Sequence, residues 1–151
     1  MAGTEITIQH NIDELRANIK GVEKRLGKLD PALKIIGATV EASVLRNFEK
    51  GGRPTGWTEL SPVTLAKKKG GSILVGKGHG GGLMGSIHSQ VAGNIVMVGT
   101  DKVYAAIHQF GGMAGRNKKV KIPARPFLMV QDKDWDNINE DLSNFILQGK
   151  L

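Results

Sequence analysis

The residue types that most often carry chemistry are thinly spread in this chain. Cysteine is absent from the 151 residues, which excludes disulfides, Cys-ligated zinc, iron–sulfur clusters and thiol nucleophiles. Histidine stands at positions 10, 79, 88 and 108. No two are three or four apart, so no helix face presents a His pair to a metal. No G-x-S-x-G nucleophile elbow is present. GSILVGKG at 71–78 matches G-x-x-x-x-G-K, but Gly78 stands where Ser or Thr would hold magnesium. Its interior, SILV, is too apolar for a loop that must present backbone N–H groups to phosphate. GKGHGG at 76–81 matches G-x-G-x-x-G, with Asp101 beyond it, yet no helix pattern opens after Gly81. Eight glycines fall among the sixteen residues from 70 to 85, so composition alone produces such matches. Carboxylates sit mainly on amphipathic segments, where a solvated face is their ordinary role. These residues assign no catalytic group, no cofactor and no metal, and an enzyme is not expected.

One stretch holds a single ionisable residue rigidly. In IPARPF, residues 122–127, Pro123 and Pro126 bracket Arg125. Each proline fixes its own φ and disfavours helix in the residue before it. Ile122 and Arg125 are therefore expected to be extended. The preceding stretch, GRNKKVK, carries Arg116, Lys118, Lys119 and Lys121.

Charge is segregated along the chain. Residues 1–59 hold nine Lys/Arg and eight Asp/Glu; residues 60–131 hold ten and one; residues 132–151 hold two and five. A basic middle and an acidic tail point to a nucleic-acid neighbour or to head-to-tail contact between copies. The alternative is that solvated basic loops keep the chain soluble. Aromatic residues are 5%, which argues against a stacking platform for single-stranded nucleic acid. No run of about 18 apolar residues is present to span a membrane.

The elements that must position these residues follow from periodicity. TEITIQ at 4–9 alternates and predicts a short strand. Asn11 can cap a helix carrying Ile12, Leu15, Ile19, Val22 and Leu26 on one stripe, stopped by Gly27. Asp30-Pro31 opens a second helix striped by Leu33, Ile36, Val40, Val44 and Phe48. The short link between them predicts a helical hairpin. Ser61-Pro62 starts a short helix reaching about Lys69. SIHSQVA and NIVMVGT flank Gly93-Asn94, a tight-hairpin signal, with Ile87 and Val91 in its core. VYAAIHQFGG reads as a short helix ended at Gly111, where a positive φ is needed. IPARPFLMV reads as an extended segment returning to the sheet. A last helix starts at Asp132 or Asp134, with Trp135, Ile138, Leu142 and Phe145 inward.

The expected fold is a single α+β domain over 1–151. It has a small antiparallel sheet with a central hairpin, an N-terminal helical hairpin and a C-terminal helix. Its long Gly-rich and basic loops near 70–85 and 112–121 are expected to be flexible.

Four landmarks occur in order: GWTEL at 56–60, GLMGSI at 82–87, VYAAIHQFGG at 103–112 and IPARPFLMV at 122–130. Together they resemble the phage virion morphogenesis family, the tail completion and head–tail joining proteins of tailed phages and prophages. The resemblance is strongest over residues 45–130. It implies a non-enzymatic structural protein of the virion tail or neck, made in the bacterial host cytoplasm. It also implies self-association, since related neck and tail-terminator proteins form rings, often of six copies. Tail-tube or neck and connector proteins are the implied partners, and no membrane is.

On that resemblance the motif residues are Gly56, Trp57, Leu60, Leu83, Tyr104, His108, Phe110, Gly111, Pro123, Pro126 and Phe127. Trp57 is expected as a buried anchor and Leu60 in the core. Tyr104 and His108 share a helix face, and they and Phe110 are expected to pack against the sheet. Arg125 is expected to make a bidentate contact with a carboxylate, within its own fold or on a neighbouring copy. Arg116, Lys118, Lys119 and Lys121 would meet DNA phosphates in a channel or the acidic rim of a partner. The alternative function is that of a small basic nucleic-acid-binding protein using the 112–125 segment.

Overall fold

The computed structural model describes residues 12–68, 72–76 and 82–149. The strand expected at 4–9, the cap at Asn11, His10, His79 and most of the GKGHGG stretch lie outside the described residues. The elements run α1 (Ile12–Leu26), α2 (Asp30–Glu49), α3 (Pro62–Lys67), β1 (His88–Ala92), β2 (Ile95–Gly99), α4 (Ala105–Phe110), β3 (Gly112–Ala114), β4 (Val120–Ile122) and α5 (Asp132–Gln148). Short 3-10 turns lie at Met84–Ser86 and Arg116–Lys118. The architecture is α+β, with an N-terminal helical hairpin, a C-terminal helix and two antiparallel hairpins, β1–β2 and β3–β4.

Local chemistry accounts for most boundaries. Ser61 caps α3 by accepting the Thr64 N–H at 3.3 Å, and Pro62 takes the first-turn position. The β1–β2 turn falls at Gly93-Asn94, pairing Ala92 with Ile95 and His88 with Gly99. Gly111 ends α4 with φ of 74°, and a Cβ there would lie 2.8 Å from the Ala124 nitrogen. Gly52 is held at φ of 111° in the turn after α2, where a Cβ would lie 2.7 Å from the Trp57 nitrogen. In each case only glycine fits both the dihedral and the space. Leu29, not Asp30, precedes α2, and Asp30 instead forms an exposed pair with Lys34 at 2.8 Å, an arrangement worth little to stability.

Helix α2 lies across β1–β2 and against α5. Its Val44 and Phe48 join Trp57, Leu83, Ile87 and Phe127 in one buried cluster. The ring of Phe48 meets Trp57 edge-on at 5.6 Å and Phe127 at 5.3 Å between centroids. Both separations fall in the favourable aromatic range. Three landmarks far apart in sequence thus meet on α2.

The fold departs from the sequence reading at several points. Residues 123–130 do not return to the β1–β2 sheet; only Val120–Ile122 pairs, and it pairs with β3. The segment 112–121, read as a loop, forms with Ile122 a two-stranded ribbon whose turn uses positive φ at Gly115, Asn117 and Lys118. No residue of α1 is buried, and Ile12, Leu15, Ile19 and Leu26 are each more than half exposed. Helix α1 is tied to α5 by Arg25, whose Nε and Nη2 donate to the carbonyls of Ile146 at 2.7 Å and Leu147 at 3.0 Å. On α5, Ile138 and Phe145 are buried as expected, but Trp135 is exposed and Asp134 takes a buried place.

Candidate functional site

The landmark residues converge on one segment, 123–131, whose backbone is satisfied largely by side chains. The Asn47 amide donates to the carbonyls of Phe127 and Met129, both at 2.8 Å. The Gln109 side-chain oxygen accepts the N–H groups of Phe127 at 2.9 Å and Leu128 at 3.0 Å. Trp57 Nε1 donates to the Pro126 carbonyl at 3.0 Å. Arg125 N–H donates to the His108 carbonyl at 2.7 Å. Buried backbone groups must be paired, and here amide and indole side chains replace a neighbouring strand. This is why the segment needs no neighbouring strand; it bends at Leu128, where the Met129 N–H donates to the Phe127 carbonyl at 3.0 Å.

Arg125 is buried and faces the GWTEL stretch. Its Nε donates to the Thr58 carbonyl at 3.0 Å and its Nη2 to the Glu59 carbonyl at 3.1 Å. The contact is two-pronged, but it is made to two backbone carbonyls rather than to the expected carboxylate. Two carbonyl oxygens brought to the same side of the chain take the guanidinium fork as a carboxylate does. Burial lowers the Arg125 pKa. The His108 pKa is lowered by burial and then by the Arg125 charge, and Lys68 is lowered by the same two causes. His108 Nδ1 is buried and has no hydrogen-bond partner among the described residues.

A second buried polar cluster fastens α2 to α5, and the sequence reading missed it. Asp134 accepts the Ser43 hydroxyl in a short hydrogen bond and the Gln131 N–H at 3.2 Å. Its two oxygens also face Arg46 at 3.2 Å and Arg53 at 3.4 Å. Arg53 Nε donates to Asn47 Oδ1 at 2.8 Å and its Nη2 to the Ser43 carbonyl at 2.8 Å. Burial pushes the Asp134 pKa up, but the bonds from Ser43 and Gln131 and the charges of Arg46 and Arg53 outweigh it and hold the carboxyl below its usual range. The signal was present: Ser43 and Asn47, four apart, interrupt the apolar face of α2 between Val40, Val44 and Phe48. Polar residues on a buried face demand partners.

The remaining predicted residues divide cleanly. Trp57, Leu83 and Phe127 are core, while Leu60, Pro123 and Pro126 are half-buried and Gly56 is exposed in its turn. Tyr104 meets His108 edge-on at 6.1 Å, on the shared face expected. Tyr104 is nevertheless 41% and Phe110 79% exposed, so these two rings do not pack into the core; α4 is a single short helix whose inward side is taken by His108 and Gln109. Arg116, Lys118, Lys119 and Lys121 are all exposed on the β3–β4 ribbon. Among the described residues none of the four forms an ion pair within the chain. No group of three or more His, Asp or Glu converges as a metal site among the described residues, and no helix there is long and apolar enough to cross a membrane.

The arrangement is a rigid frame carrying outward-facing charged and apolar surfaces. The family model of the phage virion morphogenesis family matches residues 10–146. The chain is 40% identical over 136 residues to the Mu-like prophage FluMu G protein 2 of Haemophilus influenzae, covering 90% of this chain and 91% of that one. It is 33% identical over 106 residues to the G protein of Escherichia phage Mu, provisionally named a capsid assembly protein, covering 63% of this chain and 65% of that one. No solved structure gives a significant match. The motif order, the α+β frame and a match across nearly the whole chain agree: this protein belongs to the phage virion morphogenesis family.

Proposed function

We propose that the protein acts late in virion assembly, in tail completion or head–tail joining. It would be a neck or tail-terminator type of component that works by self-association and docking, without catalysis or a cofactor. Family membership supports an assembly role in the phage. The observation that carries the finer reading is how the chain uses its polar residues. The buried ones, Ser43, Asn47, Arg125 and Asp134, are engaged in holding α2, α5 and segment 123–131 together. The exposed cations of the β3–β4 ribbon, by contrast, form no ion pair among the described residues and face outward, where a partner can meet them. Such a division suits a component that must hold its shape and present loops to partners.

The test is genetic and visual. The gene would be deleted from an inducible prophage and the lysate viewed by electron microscopy. Unjoined heads and tails, or tails of irregular length, are expected, with normal virions restored by the intact gene. Normal infectious virions from the deletion strain would overturn the proposal. A second reading, a small basic nucleic-acid-binding protein, is favoured by the four exposed cations at 116–121 alone. Salt-dependent duplex binding by the purified protein would support it, with log affinity falling linearly against log salt.

A further inference from the structure

The β3–β4 ribbon is a two-stranded element. It packs against α4 and its own 3-10 turn, and two strands by themselves are marginally stable in water. Besides its four cations, it exposes Met113 and Val120, each about half accessible. The opposite chemistry occurs on another part of the molecule. Helix α5 carries Asp132, Asp136 and Glu140 at four-residue spacing, so they form one stripe. All three are exposed, and none forms an ion pair within the chain among the described residues. Trp135 lies between that stripe and the buried side of α5. It lines an open apolar groove of about 310 Å³ together with Ile36, Val40, Val96, Leu128 and Val130.

We infer that the β3–β4 ribbon of one copy docks head-to-tail on the α2–α5 groove of the next. Met113, which pairs with Lys121 and so shares its face of the ribbon, would enter the apolar groove, and Lys118, Lys119 and Lys121 would meet the carboxylates of Asp132, Asp136 and Glu140. This interface deepens the self-association reading and rests on it. Three features select a second copy as the occupant. Among the described residues neither the cations nor the acids form an ion pair within the chain. They belong to different elements, the ribbon on α4 and the stripe on α5. An apolar groove beside an acid stripe also matches a basic ribbon with exposed apolar residues, where bare DNA phosphate would match only the cations. Because the two patches differ, the contact is heterologous and propagates from copy to copy, closing into a ring where the rotation permits.

The test uses two charge-reversed chains, K118E/K119E and D136K/E140K. All four positions are exposed, and circular dichroism would verify that both variants stay folded. Association is measured by sedimentation velocity across a concentration series at low salt. Each variant alone is expected to self-associate at least about a hundredfold more weakly than the wild type, because like charges then face each other. An equimolar mixture of the two is expected to recover assembly, because every acidic patch then meets a basic one. Oligomers of unchanged size in both single variants would overturn the interface while leaving self-association intact. A wild-type chain that stays monomeric at every concentration would overturn both together. Loss of duplex DNA binding by K118E/K119E, with its oligomers unaffected, would reassign the ribbon to nucleic acid and overturn the docking.

Discussion

Arg125 and Thr58, 67 residues apart in sequence, are joined by a 3.0 Å hydrogen bond from the guanidinium Nε to the peptide carbonyl, and Glu59 supplies the adjacent carbonyl at 3.1 Å. The two landmark stretches GWTEL and IPARPF are therefore one structural unit. The prolines on either side of Arg125 restrict the backbone that carries it, so little freedom is lost when the fork meets the two carbonyls.

Replacing this fork should unsettle the fold before it affects any partner. Arg125→Ala removes two charge-assisted hydrogen bonds and leaves two carbonyls in a partly buried place, at an expected cost of about 2–4 kcal/mol. Arg125→Lys should recover only part of that loss, since a point charge cannot span both oxygens. Urea denaturation of both variants measures the difference. A folded, fully stable Arg125→Ala that no longer assembles would instead assign the residue to an interface.

The Asp134 cluster makes an acid-labile joint between α2 and α5. Its folded pKa lies below the ordinary carboxylate value of 3.8. The unfolded chain therefore binds the proton more tightly, so the stabilisation is complete above the unfolded pKa and is lost as pH falls from there through the folded pKa. Asp134→Ala should cost about 3–5 kcal/mol at neutral pH, because Arg46 and Arg53 lose their shared acceptor. The variant should also show a flatter stability profile below pH 4 in thermal melts.

His108 acts in a different range. Its folded pKa is lowered from 6.5 by burial and by Arg125. For a base this means the unfolded state takes up the proton first. The contribution is fully present above pH 6.5 and declines as pH falls below it, levelling off beneath the folded pKa. An NMR titration should place His108 below 6.5, and His108→Gln should remove this part of the pH dependence. A His108 that titrates at or above 6.5 would contradict the geometry.

Segment 123–131 depends on two borrowed amides. Gln109→Ala leaves the Phe127 and Leu128 N–H groups without their acceptor, and Asn47→Ala removes the side-chain donor to the Met129 and Phe127 carbonyls, the latter keeping the Met129 N–H, and the acceptor of Arg53 Nε. Each should destabilise by about 1–3 kcal/mol for an unmet buried group. The two losses should be non-additive, because both act on the backbone around Phe127. Hydrogen exchange at Phe127 and Leu128 should accelerate in Gln109→Ala.

Gly111 is a sharper case. Gly111→Ala places a Cβ 2.8 Å from the Ala124 nitrogen at φ of 74°. With ψ of 178° this dihedral pair falls in a region essentially confined to glycine and costs about 1–3 kcal/mol for alanine, and the contact can be relieved only by shifting the backbone beside Arg125. The variant should melt at lower temperature than Gly111→Ala's neighbour control, Gly99→Ala, where the space for a Cβ is open.

What could be read from the sequence was what depends on neighbours along the chain. The stripe of α2, the Ser61-Pro62 start of α3, the Gly93-Asn94 turn and the Gly111 stop are set by periodicity, caps and allowed dihedrals within a few residues. The order of the four landmarks carried the family. What only the tertiary structure decided was which polar group meets which. Ser43 reaches Asp134 across 91 positions and Asn47 reaches Phe127 across 80, and no local pattern encodes such a pairing. Residues 123–130 have strand composition, yet their backbone is claimed by Asn47, Gln109 and Trp57 before any strand can pair with it. Trp135 reads as core by spacing, yet Asp134 occupies the buried place because Ser43, Arg46 and Arg53 are there to satisfy it. Burying a charge is favourable only where partners already wait, and that condition is met in space rather than in sequence.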